Sequence, residues 1–162
     1  MMGPMSVAFT KESDSEAVAA NLPDRPVSVH PNFVTPSGLV ALDAALAQAR
    51  RATTTARAAD NITSDRTAMA RATRDLRYFS SRRASAQLVD TVPGPQVTFG
   101  CRVTIERDGG QRAVWRITGE DEADPAQGSI SYVSPLARAL MGKAVGDVVG
   151  FGGKDIEIMG IG

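Results

Sequence analysis

Leu39, Leu42, Leu46, Ala49, Thr53 and Ala56 recur at alternating steps of three and four residues. That spacing is a heptad seam, which lets one helix pack along another. Thr35-Pro36 stands before it. Thr35 can cap the helix and Pro36 suits its first position. A second seam runs through Met69, Ala72, Leu76 and Phe79, stops at Arg83 and resumes at Ala86. Between the seams lies the polar run Asp60-Asn61-Ile62-Thr63-Ser64-Asp65. There Thr63 or Ser64 can cap the second helix, and Asp65 suits its first turn. Two heptad helices joined by a short polar turn predict an antiparallel hairpin. An arm from Pro36 to Ala59 is ~36 Å long. Its seam weakens from Leu near the base to Ala and Thr toward the tip.

The period changes after Thr91–Gln96, an uncharged linker with two prolines and a glycine. Val97, Phe99, Cys101, Val103 and Ile105 alternate with polar positions or Gly, as in a half-buried strand. Asp108-Gly109-Gly110 marks a turn, and Val114–Ile117 returns, with Trp115 as a large anchor. Ile130–Val133 reads as a third strand. Ser134-Pro135 starts a short helix to Leu140, which Gly142 ends. Asp147–Phe151 and Asp155–Ile161 form a last hairpin through Gly152-Gly153. The fold class is therefore α+β: an antiparallel coiled-coil hairpin, then a small antiparallel sheet with one short helix. Four parts are expected: an extended or disordered tail over 1–33, the hairpin over 34–90, the linker over 91–96 and the sheet domain over 97–162. Within the tail, Glu12–Ala20 suits a short helix, and Pro23, Pro26 and Pro31 favour extended chain.

Composition adds an asymmetry to this picture. The 162 residues carry 18 basic and 18 acidic side chains. Residues 36–90 nevertheless hold nine Arg against five Asp, and residues 97–162 hold seven cations against nine acids. A basic middle suits a nucleic acid or an acidic protein channel as neighbour, or simply a solvated helix surface. Cys101 is the only cysteine and His30 the only histidine. A single cysteine excludes an internal disulfide and a Cys-based metal site, and no Ser/His/Asp or Cys/His catalytic set is recognised around the one His and one Cys. In a β-rich run, Cys101 reads as a small buried hydrophobe, and His30 reads as a surface residue. No apolar run approaches the ~20 residues of a membrane span. The N-terminus lacks a signal-peptide core. These features predict a cytoplasmic protein with no membrane contact.

Three runs carry a family resemblance: VTFGCRVTI, WRITGEDEAD and GSISYVSPLARALMGKAVGDVV. With VTPSGLVAL and RDLRYFSSRRASAQLVD before them, they resemble the GreA/GreB transcript-cleavage factors of bacteria. The resemblance covers about Val34 to Ile161. It implies an FKBP-like C-terminal domain that docks on RNA polymerase at the rim of the secondary channel, with the hairpin inserted toward the active centre. It assigns partner contacts to Ser134, Pro135, Leu136 and Arg138. Plain helix capping also accounts for Ser134-Pro135. Such a factor is not itself an enzyme; at most it stimulates the polymerase's own RNA cleavage. It acts as a monomer with no cofactor of its own.

The tip departs from the family. Gre factors carry Asp-x-x-Glu-Asn there, and its carboxylates help hold the polymerase's second Mg²⁺. Mg²⁺ needs oxygen ligands in tight octahedral geometry, and a second metal activates the attacking water. This chain offers Asp60 and Asp65, and residues 36–90 contain no Glu. Its arms are about a heptad shorter than the family's, ~10 Å less reach. A shortened hairpin with an altered tip also resembles the Rnk branch. Two mechanisms follow from the resemblance: a cleavage factor that lends Asp60 and Asp65 to the polymerase-bound Mg²⁺, or a channel occupant. Direct nucleic-acid binding by the basic hairpin is a third reading. Against it, the hairpin holds just two aromatics, Tyr78 and Phe79, which makes a poor stacking platform.

Overall fold

The computed structural model describes residues 22–59 and 62–162, and the side chains of all of these except 62–65. The expected helix over Glu12–Ala20 lies outside the described residues. The chain divides into two compact units. The hairpin unit holds Leu42–Ala84 and the segment ending at Val27; the sheet unit holds Ser28–Ala41 and Ser85–Gly162.

Helix α1 (Pro36–Ala58) starts in the sheet unit and continues into the hairpin unit, and α2 (Ile62–Ser85) returns. Within the hairpin unit the heptad positions Leu42, Leu46, Ala49, Thr53 and Ala56 of α1 are buried, and so is Ala72 of α2. Asp43 near the start of α1 accepts from Arg83 near the end of α2 at 2.6 Å, as an antiparallel pairing requires. Helix α2 begins at Ile62, so Thr63 and Ser64 lie inside its first turn rather than capping it from outside. Met69, Leu76 and Phe79 are half-buried. Arg82 is 2% exposed, a buried cation that the seam pattern does not reveal.

The sheet unit has two sheets. A small parallel pair joins β1 (Phe33–Val34) to β2 (Gln87–Leu88). The main sheet contains β3 (Arg102–Arg107), β4 (Gln111–Thr118), β5 (Ser129–Ser131), β6 (Val148–Phe151) and β7 (Lys154–Ile161), in the order β5-β4-β3-β7-β6. Helix α3 (Pro135–Leu140) covers one face. Val103, Ile105, Ile117, Ile156 and Ile158 of the sheet meet Ala137 and Leu140 of α3 in one apolar core, with Trp115 packed against it. Gly152 and Gly153, both at positive φ, close the β6–β7 hairpin.

Two expectations need correction. The strand expected from Val97 begins only at Arg102, because Thr98–Cys101 forms a turn with Gly100 at φ 87°. Val97 instead exchanges backbone hydrogen bonds with Gly142 and Lys143. Val97, Phe99 and Cys101 are all buried, so alternating burial survives a turn and mimics a strand. The main sheet is also not wholly antiparallel. β5 runs parallel to β4, with Ile117 opposite Ile130. The connection between these two strands is the acidic run that starts at Gly119.

Candidate functional site

The acidic run is built into the fold. Glu122 is 16% exposed at its side chain. Its Oε2 accepts from Thr35 Oγ1, and its Oε1 accepts from Ser37 Oγ at 2.7 Å and from the Arg116 guanidinium at 3.4 Å. Thr35 Oγ1 in turn accepts from the Gly38 N–H at 3.0 Å, the cap that the Thr35-Pro36 pair predicts. A carboxylate beside the first turn of a 23-residue helix also meets the positive end of its dipole. Gly38 leaves room for it, since a Cβ there would stand 2.5 Å from Glu122 Oε2. A Cβ on Gly119 would stand 2.2 Å from the Phe33 carbonyl oxygen. The glycine that opens the acidic run thus lets it cross β1 at close quarters. Glu120 accepts from Ser28 at 3.0 Å, and Asp124 caps the short 3-10 turn Pro125–Gln127.

The β5–α3 corner follows. Tyr132 donates its hydroxyl proton to the Pro31 carbonyl, and its ring meets Phe33 at a tilt and Phe99 edge-on, at centroid distances of 5.3 and 5.7 Å. Ser134 caps α3, its Oγ accepting from the Ala137 N–H at 3.3 Å. Pro135 and Arg138 are exposed, one turn apart on the same helix. Leu136 points inward and is 8% exposed, within the core. The four residues assigned to partner contact therefore divide. Pro135 and Arg138 are presented to solvent, Ser134 shapes the helix start, and Leu136 anchors the helix to the sheet. Their sequence adjacency concealed this split, which the 3.6-residue period of α3 produces.

On the hairpin unit, Asp60 lies outside the described residues. Asp65 is on the first turn of α2, and its side chain also lies outside them. Among the described residues no group of three acidic, Cys or His side chains is placed to hold a metal ion. No described helix is long and apolar enough to cross a membrane. Arg50, Arg51, Arg57, Arg66 and Arg71 are exposed along the two arms. Burial pushes the Cys101 thiol above its ordinary pKa, so it is a core residue and not an activated nucleophile.

Sequence reasoning missed one cluster. Residues 22–27 lie against α2 within the hairpin unit. Arg25 stacks its guanidinium 3.9 Å from the Tyr78 ring centroid and 5.1 Å from that of Phe79. It also reaches Asp75 Oδ1 at 3.4 Å. Asp24 accepts from the Arg77 guanidinium at 2.8 Å. The signal was present as Pro23-Asp24-Arg25-Pro26, but a charged dipeptide between prolines does not name its partner.

Residues 92–161 match the family model "Transcription elongation factor, GreA/GreB, C-term". Transcription elongation factor GreA of Desulfovibrio desulfuricans is 44% identical over 77 residues, 46% of this chain and 48% of that protein. The GreA of Thioalkalivibrio sulfidiphilus is 37% identical over 94 residues, 53% of this chain and 60% of that one. The chain thus spans about half the length of the curated relatives it matches. The crystal structure of GreA factor homolog 1 of Thermus thermophilus aligns with 82% of this chain and 99% of its own, at 20% identity and a TM-score of 0.40. Over residues 92–161, then, this chain is similar to the C-terminal domain of the GreA/GreB transcription elongation factors.

Proposed function

We propose that the chain is a cytoplasmic regulator of transcription elongation that binds bacterial RNA polymerase as a monomer. In this reading the β5–α3 corner docks at the rim of the secondary channel and the hairpin enters it. The observation that carries the reading is the family match over residues 92–161, which includes the whole corner. Pro135 and Arg138 are the residues a partner would meet, with Ser134 and Leu136 holding them in place. A double change, Ser134→Asp with Pro135→Ala, tests this well. Asp retains N-capping ability, so α3 persists while the surface gains a charge. We expect affinity for core polymerase to fall at least tenfold, about 1.4 kcal/mol. Unchanged binding, or no binding by the parent chain, sinks the docking reading.

Within the channel we favour an occupant over a cleavage factor. The helices are 23 and 24 residues long, about 35 Å each. The carboxylates available at the tip are Asp60 and Asp65, where tight Mg²⁺ coordination would ask the reach to be correct within a fraction of an ångström. On backtracked complexes, an occupant leaves transcript cleavage unstimulated. Stimulation that disappears in Asp60→Ala with Asp65→Ala would instead assign these carboxylates to the polymerase-bound Mg²⁺.

A further inference from the structure

The segment before Val27 is the charge complement of one stretch of α2. Asp24 pairs with Arg77 and Arg25 with Asp75, so neighbouring charges on this segment meet opposite charges two residues apart on the helix. Arg25 adds a cation–π contact to Tyr78, whose ring meets Phe79 edge-on at 5.2 Å. Asp75 also faces Arg74 at 3.8 Å, so it keeps a cationic neighbour when Arg25 leaves. Pro23 and Pro26 hold the dipeptide extended, which reduces the freedom lost when it docks. Register, charge order and stacking all agree. Yet both ion pairs are at least a third exposed, which makes them weak and salt-screened.

We propose that Asp75, Arg77, Tyr78 and Phe79 form a reading site for an extended Asp-Arg segment, and that residues 22–27 occupy it as a displaceable strap. While the strap is down it covers the aromatic pair of α2. When it lifts, the same site accepts an Asp-Arg segment supplied in trans. This does not depend on the polymerase reading, because both partners in the contact belong to this chain.

The test is NMR on the full chain. Arg25 side-chain protons over the Tyr78 ring are displaced upfield, and we expect that displacement to shrink as salt is raised. Arg77→Asp removes most of it, and adding Asp24→Arg to that variant restores it, since the reversed pair again matches. Arg77 and Asp24 are more than half exposed, so neither change threatens the hairpin itself. A parent chain without the upfield shift, an indifferent Arg77→Asp, or a double variant without recovery each overturns the strap. A peptide of residues 20–30 provides the arm in trans. It should perturb Tyr78 of an Arg25→Ala chain at about tenfold lower concentration than in the parent, where the strap competes. Equal perturbation of both chains, or equal action by a peptide carrying Arg25→Ala, overturns the reading site.

Discussion

In the sheet unit, Glu122 takes hydrogen bonds from Thr35, Ser37 and Arg116 and is largely enclosed by them. In the hairpin unit, Arg50, Arg57 and Arg71 have no carboxylate partner among the described residues. One unit encloses a carboxylate at a backbone crossing; the other keeps most of its charge near the surface, the Asp43–Arg83 pair included and buried Arg82 apart, and packs along a thin seam rich in Leu, Ala and Thr. Changing an internal charge breaks a crossing, whereas changing a solvated one alters what the surface attracts and little else. The likeness to relatives divides in the same way. The family match covers 92–161 and leaves out the hairpin unit.

The largest effects separate the two units by their cores. Ile105→Ala removes a fully buried side chain from the sheet core and should cost about 2–5 kcal/mol. Trp115 is the sole tryptophan and sits in the sheet unit, so its fluorescence reports that unit during urea unfolding. Leu46→Ala opens the hairpin seam, where a cavity can collapse more easily, and should fall near the lower end of the same range. It should move the helical signal at 222 nm more than the Trp115 signal. Identical shifts of both probes in both variants would break the division into two units.

The next effect sharpens the contrast in charge. Glu122→Ala strips three donors of their acceptor in a partly buried setting and should cost about 1–3 kcal/mol in urea unfolding. Gly38→Ala should also destabilise, although Ala is the better helix former by about 1 kcal/mol. Its Cβ would push against a carboxylate that three bonds hold in place. In the Glu122→Ala background the sign should reverse, and Gly38→Ala should gain up to about 1 kcal/mol. A double-mutant cycle measures this coupling directly. Additive changes would show that Gly38 is not there to admit Glu122. Reversing the charge of Arg57, by contrast, should move stability by less than about 0.5 kcal/mol.

The seam was readable because heptad spacing states a geometry, and Leu42, Leu46, Ala49 and Ala56 are buried as that geometry requires. The Thr35 cap and the Ser134 cap were readable for the same reason: each is a local bond within three residues. What escaped is long-range. Glu122 meets Thr35 across 87 positions, and Arg77 meets Asp24 across 53. No periodicity encodes such a pairing, and a carboxylate in GEDEAD looks identical whether it faces solvent or a helix start. The turn at Gly100 escaped because hydrophobic alternation reports burial and not backbone pairing. At the β5–α3 corner the chain position was readable, while the division between exposed Pro135 and Arg138 and buried Leu136 needed the helix phase.

The smallest effect comes from Cys101, and it again belongs to one unit. Burial raises the folded thiol's pKa, so the folded chain keeps that proton to higher pH than the unfolded chain does. An unfolded thiol titrates near pH 8.5. Below that value both states hold the proton and the full stability is present. Above it unfolding releases a proton, so stability falls as pH rises toward the folded value. Cys101→Ala removes this contribution while costing some packing, so slopes against pH are the informative quantity, not absolute midpoints. Between about pH 8 and 10, on either side of the unfolded value, the urea midpoint read at Trp115 should fall more steeply in the parent than in Cys101→Ala. The hairpin unit, which has no cysteine, should show no such difference at 222 nm. Parallel slopes at Trp115 would mean that the thiol is hydrated in the native state, and the sheet core would then be looser around Cys101 than its 3% exposure states.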